Sequence, residues 1–155
     1  MDLTRFIEAQ SDPDNGYSSA LREIQTTGKR GHWIWYIFPQ LDGLGSSASA
    51  RFFALSGPEE AAAYMDDPIL GARLLEIGSA VAERLEAGTN LTALMNSRLD
   101  AQKLVSCMTL FKALAERGSD RSATLRHIAR IATTILAAAD AEGIPACRFT
   151  LARLA

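Results

Sequence analysis

The stretch Trp33-Ile34-Trp35-Tyr36-Ile37-Phe38 decides how the rest of the chain is read. Its side chains are of the aromatic and β-branched kinds that favour strands. Elsewhere nothing alternates apolar and polar residues for long enough to make a half-buried strand. A lone strand would have no partner, so the stretch reads as a short helix or an extended segment. The expected fold is therefore all-α, a compact single-domain bundle of about six to eight helices.

Working outward, helical periodicity dominates. Leu3, Phe6, Ile7 and Gln10 suggest a short first helix, and Ser11-Asp12-Pro13-Asp14-Asn15-Gly16 is turn chemistry. From Tyr17 the apolar positions Ala20, Leu21 and Ile24 form an amphipathic stripe, with Gly28 where a helix-ending glycine belongs. Pro58 starts a short helix through Tyr64, with Glu59 and Glu60 at its positive end. Pro68 starts a longer one, capped by Asp66 or Asp67, with Leu70, Leu74, Ile77, Val81 and Leu85 inward and a stop at Gly88. Asn90 caps a brief segment, Leu91–Met95. Leu99, Lys103, Ser106 and Leu110 line one stripe of a helix ending near Gly118. A last long helix, roughly 122–141, points Leu125, Ile128, Ala132, Ile135 and Ala139 inward and stops at Gly143-Ile144-Pro145.

At 155 residues, 48% hydrophobic and 22% charged, the chain has the size and balance of one globular domain, residues 1–155. Sixteen Lys+Arg against 18 Asp+Glu leave a net charge of −2. That balance argues against nucleic acid or a membrane surface as partner, since both call for a basic excess. Asp2, Arg5 and Glu8 break up any signal peptide, and Pro39 interrupts the apolar run 33–41, so the cytosol is the expected location. Cys107 and Cys147 are too few for a disulfide scaffold. With only two distant histidines, no metal site and no cofactor is expected.

The chemistry concentrates in residues 28–47, GKRGHWIWYIFPQLDGLGSS. Both Trp of the chain lie here, with Lys29, Arg30 and His32 just before them as donors to an anion. After them comes Gly43-Leu44-Gly45-Ser46-Ser47, leading into a helix that carries Arg51, Phe52 and Phe53. A glycine-flanked helix start presents unpaired N–H groups to an anion. The plainer readings are that Lys29 and Arg30 complement a helix C-terminus and that the aromatics are core. The second region is Asp100 to Phe111. On a helix Lys103 and Ser106 share a face, with Asp100 one turn before Lys103. The plainer reading there is a surface pair of Asp100 and Lys103. Cys107 reads as a small core residue, and His127 as a packing or solvated side chain.

Taken together, Arg5-Phe6 with Glu8-Ala9-Gln10, Gly28-Lys29-Arg30 with His32-Trp33, Phe38-Pro39-Gln40-Leu41 and Gly43-Leu44-Gly45-Ser46 resemble the domain of unknown function 1810. Pro68-Ile69-Leu70-Gly71, Asp100 with Lys103-Leu104, and Ser106 with Met108-Thr109-Leu110-Phe111 continue the likeness, and Thr150-Leu151 resembles its tail. The resemblance implies an all-helical bacterial cytoplasmic domain and brings no established catalytic residues. Leu99 stands where that family often has an acid, which removes one carboxylate beside Asp100. In size and helical character the chain is also similar, more remotely, to the NADAR domains, which are linked to ADP-ribose and related N-glycosides.

These signals lead to a small anionic or nucleotide-like partner, such as ADP-ribose or a related N-ribosyl compound. Lys29, Arg30, His32, Gln40, Gly43, Gly45, Ser46, Ser106 and Thr109 would bind it, and Trp33 or Trp35 would stack a base. If hydrolysis occurs, Asp100 is the acid–base group and Lys103 sets its charge state. The alternative is a non-catalytic module docking a partner protein through the aromatic segment 30–36. Exposure separates the two: indoles on a convex surface favour docking, indoles beside Lys103 in a hollow favour a ligand.

Overall fold

The computed structural model describes residues 1–118 and 122–155. Among these lie ten α-helices: α1 (Thr4–Gln10), α2 (Tyr17–Gln25), α3 (Ile34–Ile37), α4 (Ala48–Phe52), α5 (Pro58–Asp66), α6 (Pro68–Glu86), α7 (Leu91–Met95), α8 (Arg98–Arg117), α9 (Ala123–Ala141) and α10 (Arg148–Leu154). The all-α reading holds, but ten helices exceed the six to eight expected. The excess comes from α3, which the sequence left as either a short helix or an extended segment, and from α10, seven residues too short for a sustained apolar period to announce.

Five of the ten helix starts are set by side-chain caps. Ser47, Asp67, Asn90, Ser97 and Ser122 each accept a hydrogen bond from a backbone N–H in the first turn of α4, α6, α7, α8 and α9 respectively. Of the two expected candidates, Asp67 is thus the cap of α6. Gly28 takes the left-handed φ of 86° after α2, and its N–H returns to the Glu23 carbonyl at 2.7 Å.

α8 is the centre of the bundle. Its residues 104–111 are buried without interruption, more than two turns with every face covered. α9, α10, α7, α5 and α3 pack around it, and α6 lies against α9, α2 and α5. Phe6, Ile24, Trp33, Phe38, Tyr64, Leu74, Ile77, Phe111 and Ile135 belong to one continuous apolar core.

The ambiguous stretch resolves as the single turn α3, held because Trp33, Ile34, Ile37 and Phe38 are all buried. No strand occurs among the described residues. The one β element is a parallel bridge between Leu41 and Leu55, closed by Asp42 N–H to the Leu55 carbonyl and Leu55 N–H to the Gln40 carbonyl, both 2.9 Å. That bridge draws the two ends of the 42–54 segment together and fixes it beside α8.

Candidate functional site

Between the 44–50 segment and the exposed flank of α8 lies a cleft of about 370 Å³. One wall is Gln40, Leu44, Gly45, Ser46, Ser47 and Ala50; the other is Leu99, Gln102, Lys103 and Ser106. The second set is spaced i, i+3, i+4, i+7, a single face of α8. Two stretches some sixty residues apart in sequence therefore meet, and Gln40, Gly45, Ser46, Lys103 and Ser106 of the expected residues line the hollow. Lys103 is the charged side chain among the described residues lining it. Its ammonium lies 5.1 Å from the centroid of the half-buried Trp35 ring and 3.6 Å from Asp100 Oδ1.

Asp100 sits in the first turn of α8 with both oxygens occupied, Oδ2 lying 2.8 Å from Lys29 Nζ. Lys29 is buried, and its Nζ also donates to the Gly31 carbonyl at 2.6 Å and lies 5.0 Å from the Trp33 ring centroid. With three partners at once, Lys29 is a brace tying the loop before α3 to α8, not an open phosphate donor. That corrects its expected place on the ligand.

Trp33 is likewise corrected. It is fully buried and donates its indole N–H to Glu23 Oε1 at 3.0 Å, so neither face is open for stacking. Glu23 Oε1 also accepts from the N–H groups of Arg30 and Gly31. Burial pushes the Glu23 carboxyl up, but these donors and nearby Lys29 outweigh it and hold the group below its ordinary value. Arg30 and His32 are exposed and lie outside the cleft's lining. With Trp33 and Tyr36 both buried, segment 30–36 offers no continuous aromatic face for docking.

Gly43 and Thr109 do structural work nearby. Gly43 has φ 102°, and a Cβ there would stand 2.7 Å from the Phe149 ring of α10. Thr109 is buried, donates to the Val105 carbonyl at 2.7 Å and accepts from the Cys147 N–H at 3.1 Å. It anchors α10 and does not reach the cleft, a further correction. The helix start at α4 is also no free anion seat: the helix is five residues long and Ser47 already binds the Ala50 N–H.

Ala50, Leu99 and Gln102 line the cleft without having been singled out as ligand contacts. Helical spacing would have found Leu99, four positions before Lys103, and Gln102, four before Ser106. Beyond Ser106 and Gln102 a smaller hollow of about 250 Å³ reaches Cys147. Burial pushes the Cys147 thiol up, but hydrogen bonds from the Ser106 and Thr150 side chains and from the N–H groups of Thr150 and Phe149 bring it below its ordinary value. Cys107 behaves as expected of a core residue: fully buried, with burial raising its thiol well above the usual range.

Among the described residues no cluster of His, Cys, Asp or Glu could hold a metal ion, and no helix is long and apolar enough to cross a membrane. Residues 1–136 match the family described as protein of unknown function (DUF1810). A conserved hypothetical protein from Mycobacterium tuberculosis, solved by crystallography at 1.38 Å, is 33% identical in sequence, with a TM-score of 0.73 over 97% of this chain and 94% of that one. No curated protein matches the chain. Every residue of the 370 Å³ cleft falls inside the matched segment, whereas Cys147 and α10 follow it.

Proposed function

The chain belongs to the DUF1810 family of proteins of unknown function, and from that premise we propose that its cleft binds a small anionic ligand of the phosphorylated-nucleoside class, such as ADP-ribose or a related N-ribosyl compound. The observation that carries the reading is the meeting of Gln40, Gly45 and Ser46 with Lys103 and Ser106 around one hollow. Its volume falls in the range of about 300–1,000 Å³ typical of small-molecule sites. Polar groups converge there, Ser106 also donating its hydroxyl to the Gln102 carbonyl at 3.0 Å. Lys103 supplies the positive charge, and Asp100, itself tied to Lys29, holds that ammonium over Trp35.

Binding is the part of the proposal that the contacts support more strongly than turnover. Each Asp100 oxygen already faces an ammonium, so an acid–base role would require it to release Lys29 or Lys103. The notion of a docking module draws no support from this arrangement, because Trp33 and Tyr36 of its aromatic segment are buried in the core.

Calorimetric titration with ADP-ribose, NAD, AMP and uncharged adenosine tests the reading. The phosphorylated compounds are expected to bind and adenosine to bind at least about tenfold more weakly, as one charge-assisted contact is worth about 1.5–3 kcal/mol. Lys103→Ala should abolish that preference without lowering the melting temperature by more than a few degrees. Silence across the panel from well-folded protein overturns the proposal. Chromatography of NAD and ADP-ribose after prolonged incubation addresses hydrolysis, and product that disappears in Asp100→Asn would assign Asp100 the acid–base role.

A further inference from the structure

Gln40 presents its side-chain amide to the cleft. The residue is only 8% exposed, and it lines the cleft. Its carbonyl oxygen on the main chain is committed to the Leu55 N–H, which fixes the residue in place. Its side chain has no hydrogen-bond partner among the described residues, and its amide atoms stay open to solvent in the cleft. Gly45, on the same wall, leaves the amide uncovered: even a Cβ there would stand 4.0 Å from Gln40 Nε2. The contrast with Gln10 is direct, since that buried amide donates to the Tyr36 carbonyl and the Tyr64 hydroxyl and accepts from Arg73.

A primary amide that opens to a cleft and is unpaired within the protein is bound by water there, and a ligand can take that place. The amide presents two donor hydrogens and an acceptor oxygen in one plane. Its natural complement is a flat edge carrying a donor and an acceptor side by side, as on adenine, where glutamine pairs with N6 and N7, or on a carboxamide. Lys103 on the opposite wall cannot read such an edge, because an ammonium only donates.

Resting on the binding reading above, we infer that Gln40 is the specificity residue of the cleft: it pairs with a neutral donor–acceptor edge of the ligand while Lys103 takes the anionic group. The ligand class this defines is a ribonucleotide whose base or carboxamide offers such an edge. Ribose phosphates without a base, and bases lacking the donor, satisfy Lys103 alone.

The test titrates wild type, Gln40→Leu and Gln40→Met with four probes: AMP, the purine ribonucleotide lacking the 6-amino group, nicotinamide mononucleotide and ribose 5-phosphate. Wild type is expected to prefer AMP or nicotinamide mononucleotide over the 6-unsubstituted purine ribonucleotide by tenfold or more. A preference for AMP identifies a base edge and a preference for the nicotinamide compound a carboxamide. Both variants should erase the preference while holding ribose 5-phosphate within about twofold of wild type. Because no internal hydrogen bond is lost, at least one of them should melt at or above the wild-type temperature. Ribose 5-phosphate binding with no discrimination among bases, or discrimination that survives both substitutions, overturns the role of Gln40 and leaves the anion site standing. A clear fall in melting temperature for both variants overturns it too, by showing that the amide has a partner within the protein. Failure of every probe, ribose 5-phosphate included, removes the anion site itself.

Discussion

Glu23 organises the loop that leads to α3, because one of its oxygens gathers three donors: the Arg30 N–H at 2.7 Å, the Gly31 N–H at 2.8 Å and the Trp33 indole at 3.0 Å. Glu23→Gln leaves a weaker acceptor for all three and should lower stability by about 1–3 kcal/mol. The pH dependence has a definite sign. The folded carboxyl titrates below its ordinary value, so its contribution is complete above the usual glutamate range near about 4.3 and fades as pH falls through the lower folded value. Urea unfolding followed by Trp fluorescence should therefore show a gap between wild type and Glu23→Gln that is full at neutral pH and narrows in acid. A gap independent of pH would mean the carboxylate charge is not what holds the loop. Gly43 makes a second test at this scale. Its φ of 102° is costly for any L side chain, and Phe149 occupies the space a Cβ would need, so Gly43→Ala should lose about 1–3 kcal/mol in the same assay.

At the scale of elements, legibility followed the length of the pattern. α6 and α9 repeat their apolar positions over 19 residues and open on Asp67 and Ser122, so periodicity and capping agree with what forms. α3 carries only four residues of strand-preferring type, and burial of both its flanks, which no local pattern records, makes it a turn of helix. α10 escaped notice because only Thr150 and Leu154 of its seven residues are buried, too few to show a period, and because Cys147 opens it without a side-chain cap. The site divides in the same way. Lys103 and Ser106 were visible as polar positions on an otherwise apolar stripe. Lys29 and Thr109 look just as polar, but their partners are Asp100 and the Cys147 N–H, 71 and 38 positions away, and sequence spacing cannot show that. Thr109→Val examines the second of these directly. It keeps the shape, strands the Cys147 N–H, and should cost about 1–3 kcal/mol. Hydrogen exchange should quicken through α10 while α8 stays protected; unchanged α10 protection would mean that Thr109 is not its anchor.

Across the whole molecule, burial falls off outward from α8, and the two thiols sit at opposite ends of that gradient. Cys107 lies within the uninterrupted buried stretch 104–111. Cys147 is only part-buried, at the start of the peripheral α10 that rests on Thr109 and on Phe149 against Gly43. Core groups open only in global unfolding, whereas elements with few buried contacts open locally at lower free energy. The thiolate is the reactive form, and the environments differ in the same direction: Cys107 is held above its ordinary value by burial, and Cys147 is brought below it by the Ser106, Thr150 and backbone hydrogen bonds. Under native conditions at neutral pH a small thiol reagent should thus modify Cys147 at least roughly a hundredfold faster than Cys107. The Cys107 rate should fall on the global stability measured in urea, rising steeply with denaturant, while the Cys147 rate should depend on it weakly. Gly43→Ala, by loosening the seat of Phe149, should speed Cys147 further than its loss of global stability alone accounts for. If instead both thiols react together with one urea dependence, α10 and α8 open as a single unit, and the cleft wall they share through Ser106 is as rigid as the core behind it.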